Sequence, residues 1–470
     1  MTGYLILYLA VETDFMNIEQ FKNYFFIGIA GTGMSAIAQY LQGIGKNVAG
    51  SDRLFNQNSK MLIQEQFEKQ GIQCFFQDGS GLTQNMEVVI VSTAIEESNI
   101  EYRKAKELGI PVMKRSELLA AISKSKRTIA VGGTSGKSTT TAMIFHILQE
   151  NGYSPSLMTG AGLTALQKQG LPGNAWVGKS DWLVIESDES DGSIVNYYPE
   201  ISVVLNVDRD HKEFAELMQL FSTFKEHTHG KFIVNHDHAM IKTLSQNSDY
   251  DFGTVSGIGY AGNDYKQTGF QILFTINGVP FTIPAIGNHN MENAMAATAV
   301  SGAIGISIAN SAKALESYVG IYRRTQLVGK KEGVYVIDDF AHNPAEVAAA
   351  IKASQQLGER TLAWFQPHGY GPLRFMHEEL AEKVSEILRD NDCFFMSDVY
   401  YAGGTVNRDI GSEVVIAAVQ KNNRNALLVA DRTQLPLKFK EMVQPGDVIL
   451  LMGARDPSLS DFAVEVLESL

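Results

Sequence analysis

The residues with the clearest chemical meaning in this 470-residue sequence form a glycine-rich segment. It reads Gly133-Thr134-Ser135-Gly136-Lys137-Ser138-Thr139-Thr140, after the apolar stretch 128–131 and before helical apolar spacing over 139–148. Backbone N–H groups of such a loop donate hydrogen bonds to phosphates. The Lys137 ammonium neutralises part of the phosphate charge, and the Ser138 hydroxyl can bind Mg²⁺. The strict pattern requires glycine where this sequence has Val131. We therefore predict a phosphate-binding loop with a solvent-facing lysine, and a purely structural glycine turn is the alternative.

Acidic residues near this loop could hold a metal ion. Glu186 ends the apolar stretch 182–185 and opens Ser187-Asp188-Glu189-Ser190-Asp191, and Asp210-His211 follow the apolar stretch 201–205. Carboxylates at the carboxyl ends of strands beside a phosphate loop are expected Mg²⁺ ligands. For Asp191 a solvated turn is the favoured interpretation, and for His211 a structural role and a metal role stay open.

A second glycine-rich segment, Gly28-Ile29-Ala30-Gly31-Thr32-Gly33, follows an apolar stretch and opens a helix. Asp52 follows at the roughly 20-residue distance expected of a ribose-binding acid. Glycines let the backbone approach a diphosphate, and the helix N-terminus attracts its charge. Because Ala30 replaces the middle glycine of the dinucleotide pattern, NAD, another diphosphate ligand and a structural turn all remain open.

Further polar groups follow predicted strands or open predicted helices later in the chain. Side chains at strand ends of two facing domains would converge on one cleft, although capping or surface roles are the alternative for each. These groups are Gly287–Ala294, Arg323-Arg324, Asp338–Pro344 and Phe365–His368.

Composition excludes several classes of protein. The chain has 39 Lys and Arg against 52 Asp and Glu, a net charge of −13, which disfavours binding to nucleic acid or anionic lipid. Cys74 and Cys393 alone cannot form a disulfide framework or a four-cysteine metal site. No apolar run reaches the roughly 18 residues of a membrane span.

The N-terminal apolar run 4–11 is preceded by no basic residue and is followed by Glu12 and Asp14, unlike a secretory signal. We interpret residues 1–20 as an N-terminal extension, with Met16 as an alternative start, and expect the protein in the cytoplasm. The oligomeric state is left open.

Strands and helices that alternate along the chain are expected to position the candidate site residues. Buried strands separated by helices predict an α/β protein with doubly wound, mostly parallel sheets. Asn277-Gly278 predicts one antiparallel hairpin, and Ser116 is expected to cap a helix. We place domains at residues 21–123, 124–318 and 319–470.

Taken together, these motifs resemble the Mur ligase family, and within it the branch that joins L-alanine to UDP-N-acetylmuramate. The resemblance runs from about Tyr24 to the C-terminus. Its markers are Gly28–Ser35, Gly50-Ser51-Asp52, Ser92–Ile95, Gly133–Thr140, Glu186–Asp191, Asn206–His211, Gly287–Ala294, Asp338–Pro344 and Phe365–His368.

The resemblance implies a Rossmann-like UDP-sugar domain, a central ATPase domain and a Rossmann-like C-terminal ligase domain. It also implies ATP-dependent amide formation through an acyl phosphate, with Mg²⁺, in peptidoglycan precursor synthesis. Its partners would be small molecules, a UDP-N-acetylmuramate-type nucleotide sugar and an amino acid or peptide.

The same resemblance implies roles for individual residues. Lys137, His342 and His368 would be catalytic, and Ser138, Glu186 and His211 would bind Mg²⁺. The ATP site would use Gly133, Thr134, Ser135, Gly136, Lys137, Ser138, Thr139, Asn290, Asn293, Arg324 and Asp339. The UDP-sugar would contact Gly28, Gly31, Gly33, Met34, Ser35, Asp52, Ser92 and Ala94. The acceptor pocket would use His368, Tyr370 and Arg374.

Two departures from the alanine-adding pattern bear on the acceptor and the loop. Ser135 stands where that branch usually has histidine and other members of the family have asparagine. After Phe365–His368, Gly369 and Pro372 stand where that branch has arginines that grip the amino acid's carboxylate, and only Arg374 remains nearby. The acceptor could therefore be another amino acid, a peptide such as a recycled tripeptide, or another amine.

Two hypotheses from other classes remain. A nicotinamide-dependent dehydrogenase would use the first glycine loop but leave the second unexplained. A non-catalytic paralogue would be expected to lose Lys137 or Glu186, and both are present.

Overall fold

The computed structural model describes residues 18–56, 60–208, 213–401 and 407–470. Two compact units are formed: one contains the chain up to Arg127 with Asn196–Tyr198, and the other contains Thr128–Val195 and Pro199–Leu470. Residues 1–17 of the predicted extension and His211 lie outside the described residues. In the described part of the chain, none of the helices has the length and apolar character needed to cross a membrane.

The first unit contains a parallel sheet with the strand order β3-β2-β1-β4-β5. Its central strand is apolar and buried on both faces, as expected of a strand with parallel neighbours. The carboxyl ends of β1 and β4 flank the point where the strand order reverses, which is where the first glycine segment lies. The strands are β1 (Asn23–Ile27), β2 (Asn47–Asp52), β3 (Gln73–Phe76), β4 (Val88–Val91) and β5 (Val112–Lys114). The helices are α1 (Thr32–Gly43), α2 (Leu62–Lys69), α3 (Ile100–Glu107) and α4 (Arg115–Lys124).

The predicted cap of α4 is wrong. The helix begins at Arg115, one residue before Ser116. The Lys114 backbone N–H donates to Glu117 Oε2 at 2.9 Å, so a glutamate in the first turn caps the helix instead of a serine.

The middle of the chain forms a second, mostly parallel sheet, ordered β11-β10-β6-β9-β7-β8, and a smaller sheet ordered β12-β13-β14-β15. The predicted hairpin is confirmed, because β14 and β15 pair antiparallel around Asn277 and Gly278, both with positive φ. The strands are β6 (Arg127–Gly132), β7 (Ser156–Met158), β8 (Ala175–Trp176), β9 (Trp182–Glu186), β10 (Ile201–Val204), β11 (Lys231–Val234), β12 (Phe252–Gly253), β13 (Tyr260–Gln267), β14 (Ile272–Ile276) and β15 (Val279–Ile283). The helices are α5 (Lys137–Glu150), α6 (Thr164–Gln167), α7 (Phe214–Glu226), α8 (Asn288–Ile304) and α9 (Ile308–Leu315).

The C-terminal part forms a sheet ordered β16-β17-β21-β18-β19-β20, parallel except for the β16–β17 pair. Pro344 begins a helix, as predicted. The strands are β16 (Gln326–Lys331), β17 (Val334–Asp339), β18 (Arg360–Gln366), β19 (Cys393–Met396), β20 (Ala426–Leu428) and β21 (Asp447–Gly453). The helices are α10 (Pro344–Ser354), α11 (Tyr370–Ile387), α12 (Glu413–Lys421), α13 (Leu435–Met442) and α14 (Leu459–Ser469).

The packing of α8 brings the middle and C-terminal parts together. Small buried residues such as Ala294 and Ala297 face the core that α5 shares, which allows the two helices to approach closely. Ile286, just before α8, instead joins the core of the C-terminal part with Ala350 and Ala353 of α10. The N-termini of α5, α8 and α10 are thereby positioned around one site.

Candidate active site

The phosphate loop between β6 and α5 is held in shape by the neighbouring strand. Gly133 and Gly136 have φ of 130° and 86°, values that favour glycine. Ser135 N donates to Asn206 Oδ1 at 2.9 Å, and Asn206 Nδ2 donates to Ser135 O at 3.0 Å. A Cβ on Gly136 would stand 2.5 Å from Asn293 Oδ1 of α8. The loop is therefore fixed on both sides.

The prediction that Lys137 faces solvent is wrong. Its side chain is 16% exposed, and Nζ lies 3.0 Å from Glu189 Oε2 and 2.6 Å from Gly133 O. Burial disfavours the ammonium, but the charges of Glu189 and Asp188 outweigh it and hold the pKa of Lys137 above its ordinary value. The lysine is thus a fixed, charged donor beneath the loop.

Glu186 lies where a Mg²⁺ ligand was predicted. It ends β9, the sheet neighbour of β6, and Ser187 N donates to Val131 O at 2.9 Å. Its Oε1 accepts from the Thr159 hydroxyl and from Gly160 N. In the described ranges no group of three or more His, Cys, Asp or Glu side chains could hold a metal ion. Mg²⁺ bound with substrate phosphates needs only one or two carboxylates and a hydroxyl, so Glu186 and Ser138 fit it chemically.

A cavity of about 220 Å³ opens at the loop. It joins predicted ATP-binding residues from three places along the chain: the phosphate loop, the start of α8 and the segment around β16 and β17. The predicted residues in its lining are Ser135, Gly136, Ser138, Thr139, Asn290, Asn293, Arg324 and Asp339.

Asp339 and Arg324 are held at the cavity by different means. Asp339 accepts from Thr325 N at 2.5 Å and Ala341 N at 2.7 Å, and burial raises its pKa to about 6. The Arg324 guanidinium lies 5.1 Å from the centre of the Phe340 ring, and its Nη1 lies 3.9 Å from Glu346 Oε1.

Sequence reasoning missed Glu346, which also lines the cavity. Its carboxylate contacts Ser135, Arg324 and His342. The His342 and His368 rings lie edge to face, 5.5 Å apart, so two of the predicted catalytic residues meet. The signal that could have found Glu346 is its place three residues after Asn343, the capping residue of α10.

The predicted acceptor residues Tyr370 and Arg374 contact different partners near the start of α11. Tyr370 begins α11, two residues after His368, and its ring centre lies 5.7 Å from that of Tyr401. Arg374 donates to Asn407 O at 3.0 Å and pairs with Asp409. Another guanidinium, that of Arg408, lies 4.2 Å from the centre of the Tyr401 ring and 6.0 Å from that of Tyr370.

The first glycine segment belongs to the other unit. Gly28 has φ of 80°, and Gly31 precedes α1 without a side-chain cap. Asp52 accepts from Ala30 N at 2.9 Å and Leu54 N at 3.0 Å, so its carboxylate holds the loop. A Cβ on Gly33 would stand 2.9 Å from Arg115 Nη1, which brings an arginine that sequence reasoning missed to the start of α1.

The other predicted UDP-sugar residues lie in two places, within α1 and directly after β4. Met34 and Ser35 are buried in α1, and the Ser35 hydroxyl donates to Thr32 O at 2.9 Å. Ser92 and Ala94 follow β4, where the Ser92 carbonyl accepts from Ile95 N at 3.2 Å and closes a turn.

Family models match three consecutive parts of the chain. Residues 23–127 match the Mur ligase family catalytic domain, 131–301 the Mur ligase middle domain and 323–455 the Mur ligase glutamate ligase domain. The UDP-N-acetylmuramate–L-alanine ligase of Pelotomaculum thermopropionicum is 32% identical over 464 residues, which cover 93% of this chain and 96% of that one. The ligase of the same name from Carboxydothermus hydrogenoformans is 32% identical over 446 residues, covering 91% and 93%.

Solved structures show the same fold. The crystal structure of UDP-N-acetylmuramate–alanine ligase from Thermotoga maritima matches with a TM-score of 0.77 at 24% identity, covering 95% of this chain and 99% of that one. A murein peptide ligase from Psychrobacter arcticus matches with a TM-score of 0.66 at 20% identity, covering 95% and 98%. With its three α/β domains, this chain belongs to the Mur ligase family of ATP-dependent, amide-bond-forming ligases of peptidoglycan precursor synthesis.

Proposed function

We propose that this ligase joins an amino acid, L-alanine in the relatives named above, to the carboxylate of UDP-N-acetylmuramate. The observation that carries the proposal is the cavity where the phosphate loop, Asn290 and Asn293 of α8, and Arg324 with Asp339 meet. An adenine, a ribose and a triphosphate need such a set of amide, carboxylate and cationic groups around one opening.

The chemistry begins with a carboxylate that is a poor acyl donor. Transfer of the γ-phosphoryl group to it forms an acyl phosphate and ADP, and attack by the acceptor amine then forms the amide and releases phosphate. Lys137 supplies a fixed positive charge where negative charge develops on the transferring oxygens. Ser138 and Glu186 would hold Mg²⁺, which supplies further charge neutralisation when bound.

The test is phosphate release with UDP-N-acetylmuramate, ATP and Mg²⁺ across a panel of amino acids and peptides. Trapping the acyl phosphate with hydroxylamine separates activation from acceptor attack. A hydroxamate that forms only with all three components supports the proposal, and its absence with active controls would contradict it.

The nucleotide sugar is assigned to the first unit, with Gly28, Gly31 and Gly33 facing its diphosphate. A UDP-sugar at 100 times its Kd should raise the free energy of unfolding by about 2.7 kcal/mol. Thermal unfolding with UDP-N-acetylmuramate and, separately, with NAD measures this. Stabilisation by NAD alone would favour the dehydrogenase hypothesis.

A second candidate function is ligation of a different acceptor, such as a peptide. Two observations favour it. Gly369 directly precedes α11 and Pro372 lies in its first turn, at positions where the alanine-adding branch has arginines. The remaining arginine, Arg374, is paired with Asp409. The same panel decides between the two. The use of ATP and a nucleotide sugar fits the cytoplasmic location expected from the sequence.

A further inference from the structure

Glu346 connects two parts of the proposed ATP site through its two carboxylate oxygens. Oε1 accepts from the Ser135 hydroxyl at 3.1 Å and lies 3.9 Å from Arg324 Nη1. Oε2 accepts from His342 N at 3.2 Å and lies 3.1 Å from His342 Nδ1. The side chain is only 14% exposed, so these contacts are shielded from solvent.

The His342 ring is oriented by these contacts. Nδ1 lies 3.1 Å from both Glu346 Oε2 and Phe340 O, and since both are acceptors, Nδ1 carries a proton. Among the residues that the structure describes, Nε2 has no hydrogen-bond partner. The nitrogen that can serve a ligand is therefore Nε2.

The charges around the ring determine its protonation. Arg324, Asp339, His289 and His368 face this pair from the neighbouring segments. Burial and Arg324 disfavour the imidazolium, but Glu346 outweighs them and raises the pKa of His342. Burial alone would raise the pKa of Glu346, yet His342 and Arg324 hold it well below its usual range, so the carboxylate is ionised.

We propose that Glu346 is a positioning residue: it fixes the His342 ring and keeps it cationic, so that Nε2–H can donate to an oxygen of the transferring phosphoryl group. This inference rests on the proposed function. A charged donor held in place before reaction stabilises developing negative charge without a cost in reorganisation. A purely structural alternative exists, because Glu346 also lies in the first turn of α10 and helps to cap it.

The first test measures His342 directly by NMR titration of labelled histidines, with His342→Gln identifying its signal. Glu346→Gln keeps the shape and an acceptor oxygen but removes the charge. We expect a His342 pKa above 6.5 in the wild type and below 6.5 in Glu346→Gln. Ser135→Ala, which removes only the Oε1 contact, should leave the His342 pKa raised. Equal values in the wild type and Glu346→Gln would overturn the proposal.

The second test measures turnover against pH. In the wild type, activity should fall as pH rises through the raised His342 pKa. In Glu346→Gln this alkaline limb should move down by about one pH unit or more, with kcat lowered about tenfold at its alkaline end. KM for ATP should stay unchanged or fall, because an anion beside Arg324 is removed. Glu378→Gln, the same change at a side chain 92% exposed, is the matched control.

The outcomes separate the two proposals. An unshifted alkaline limb with an equal loss of stability and activity would leave Glu346 as a helix cap and overturn the inference. If the wild type forms no hydroxamate with UDP-N-acetylmuramate and ATP, the proposed function fails, and the NMR comparison alone decides whether Glu346 controls His342.

Discussion

Two regions of the larger unit differ in how exposed their charged side chains are. We call them the phosphate side, around the loop Gly133–Thr140, and the acceptor side, around the start of α11. At the phosphate side, Lys137 and Glu189 are 16% and 7% exposed and lie 3.0 Å apart. At the acceptor side, the side chains of Arg374 and Asp409 are 42% and 53% exposed. Shielded charges interact strongly and hold one geometry, whereas exposed pairs are screened and exchange partners readily.

Under the proposed function, this difference in exposure separates two parts of the reaction. The phosphate side would activate the carboxylate, which the family has in common, and the acceptor side would select the amine. Activation of a carboxylate by ATP needs preorganised charge, which under the proposed function the buried pairs would supply. Of the departures from the alanine-adding pattern, Gly369 and Pro372 are partly exposed and lie on the acceptor side, whereas Ser135 lies in the phosphate loop. We therefore expect substitutions at the phosphate side to remove activity and those at the acceptor side to redirect it.

The largest effect is expected from Lys137→Ala. Loss of one fixed charged donor should lower kcat at least about 10²-fold. Because Glu189 is left buried without its cation, the variant should also lose about 3–5 kcal/mol of stability. Turnover and denaturant unfolding measure the two effects.

A double variant separates these effects. Lys137→Ala with Glu189→Gln removes the unpaired charge, so it should regain most of the stability and none of the activity. Wild-type turnover in either folded variant would disprove the role given to Lys137.

The next effect concerns Mg²⁺. Glu186→Gln is close in shape but replaces the anion that a hard dication prefers, so the Mg²⁺ concentration for half-maximal activity should rise at least about tenfold. Titration of activity with Mg²⁺ measures it. An unaltered requirement would show that another carboxylate, such as that of Asp188 or Asp191, is the ligand.

Much of the fold could be predicted because strands in parallel sheets are continuous apolar runs. The apolar stretches 128–131, 182–185 and 201–205 of the sequence correspond to β6, β9 and β10, whose ends differ from them by at most one residue. The glycine loops were found from local patterns that encode their backbone shape.

The pairs that complete the site could not be found in this way, because their members are far apart along the chain. Glu189 lies 52 residues from Lys137, and Glu346 lies 211 residues from Ser135. Each glutamate looks locally like part of an acidic turn or a helix start, which is why Lys137 was wrongly expected to face solvent. Only tertiary packing brings such partners together.

At the acceptor side, free L-alanine should be a poor acceptor. With Gly369 and Pro372 in place of two arginines, its carboxylate loses one or two charge-assisted hydrogen bonds of about 1.5–3 kcal/mol each. That predicts an affinity loss of at least about tenfold per bond. Phosphate release against L-alanine concentration measures it. A submillimolar KM with normal turnover would show that the carboxylate is bound elsewhere, and Arg408 is then the first residue to substitute.

The smallest effect is expected from Arg374→Gln. The family resemblance implies that Arg374 lies in the acceptor pocket, but in the structure its guanidinium contacts Asp409 and Asn407 O at the surface. Solvent screens an exposed ion pair of this kind, so it contributes little to stability. The variant should therefore unfold at nearly the same denaturant concentration as the wild type. It should change the KM of the best acceptor by less than about fivefold, which is short of the tenfold change that corresponds to about 1.4 kcal/mol. Asp409→Asn is the matched control, since it breaks the same pair and leaves the arginine in place. If Arg374→Gln raises the acceptor KM tenfold while Asp409→Asn does not, Arg374 leaves Asp409 to bind the acceptor. The difference in exposure between the charged groups of the two sides would then exist only before the acceptor binds.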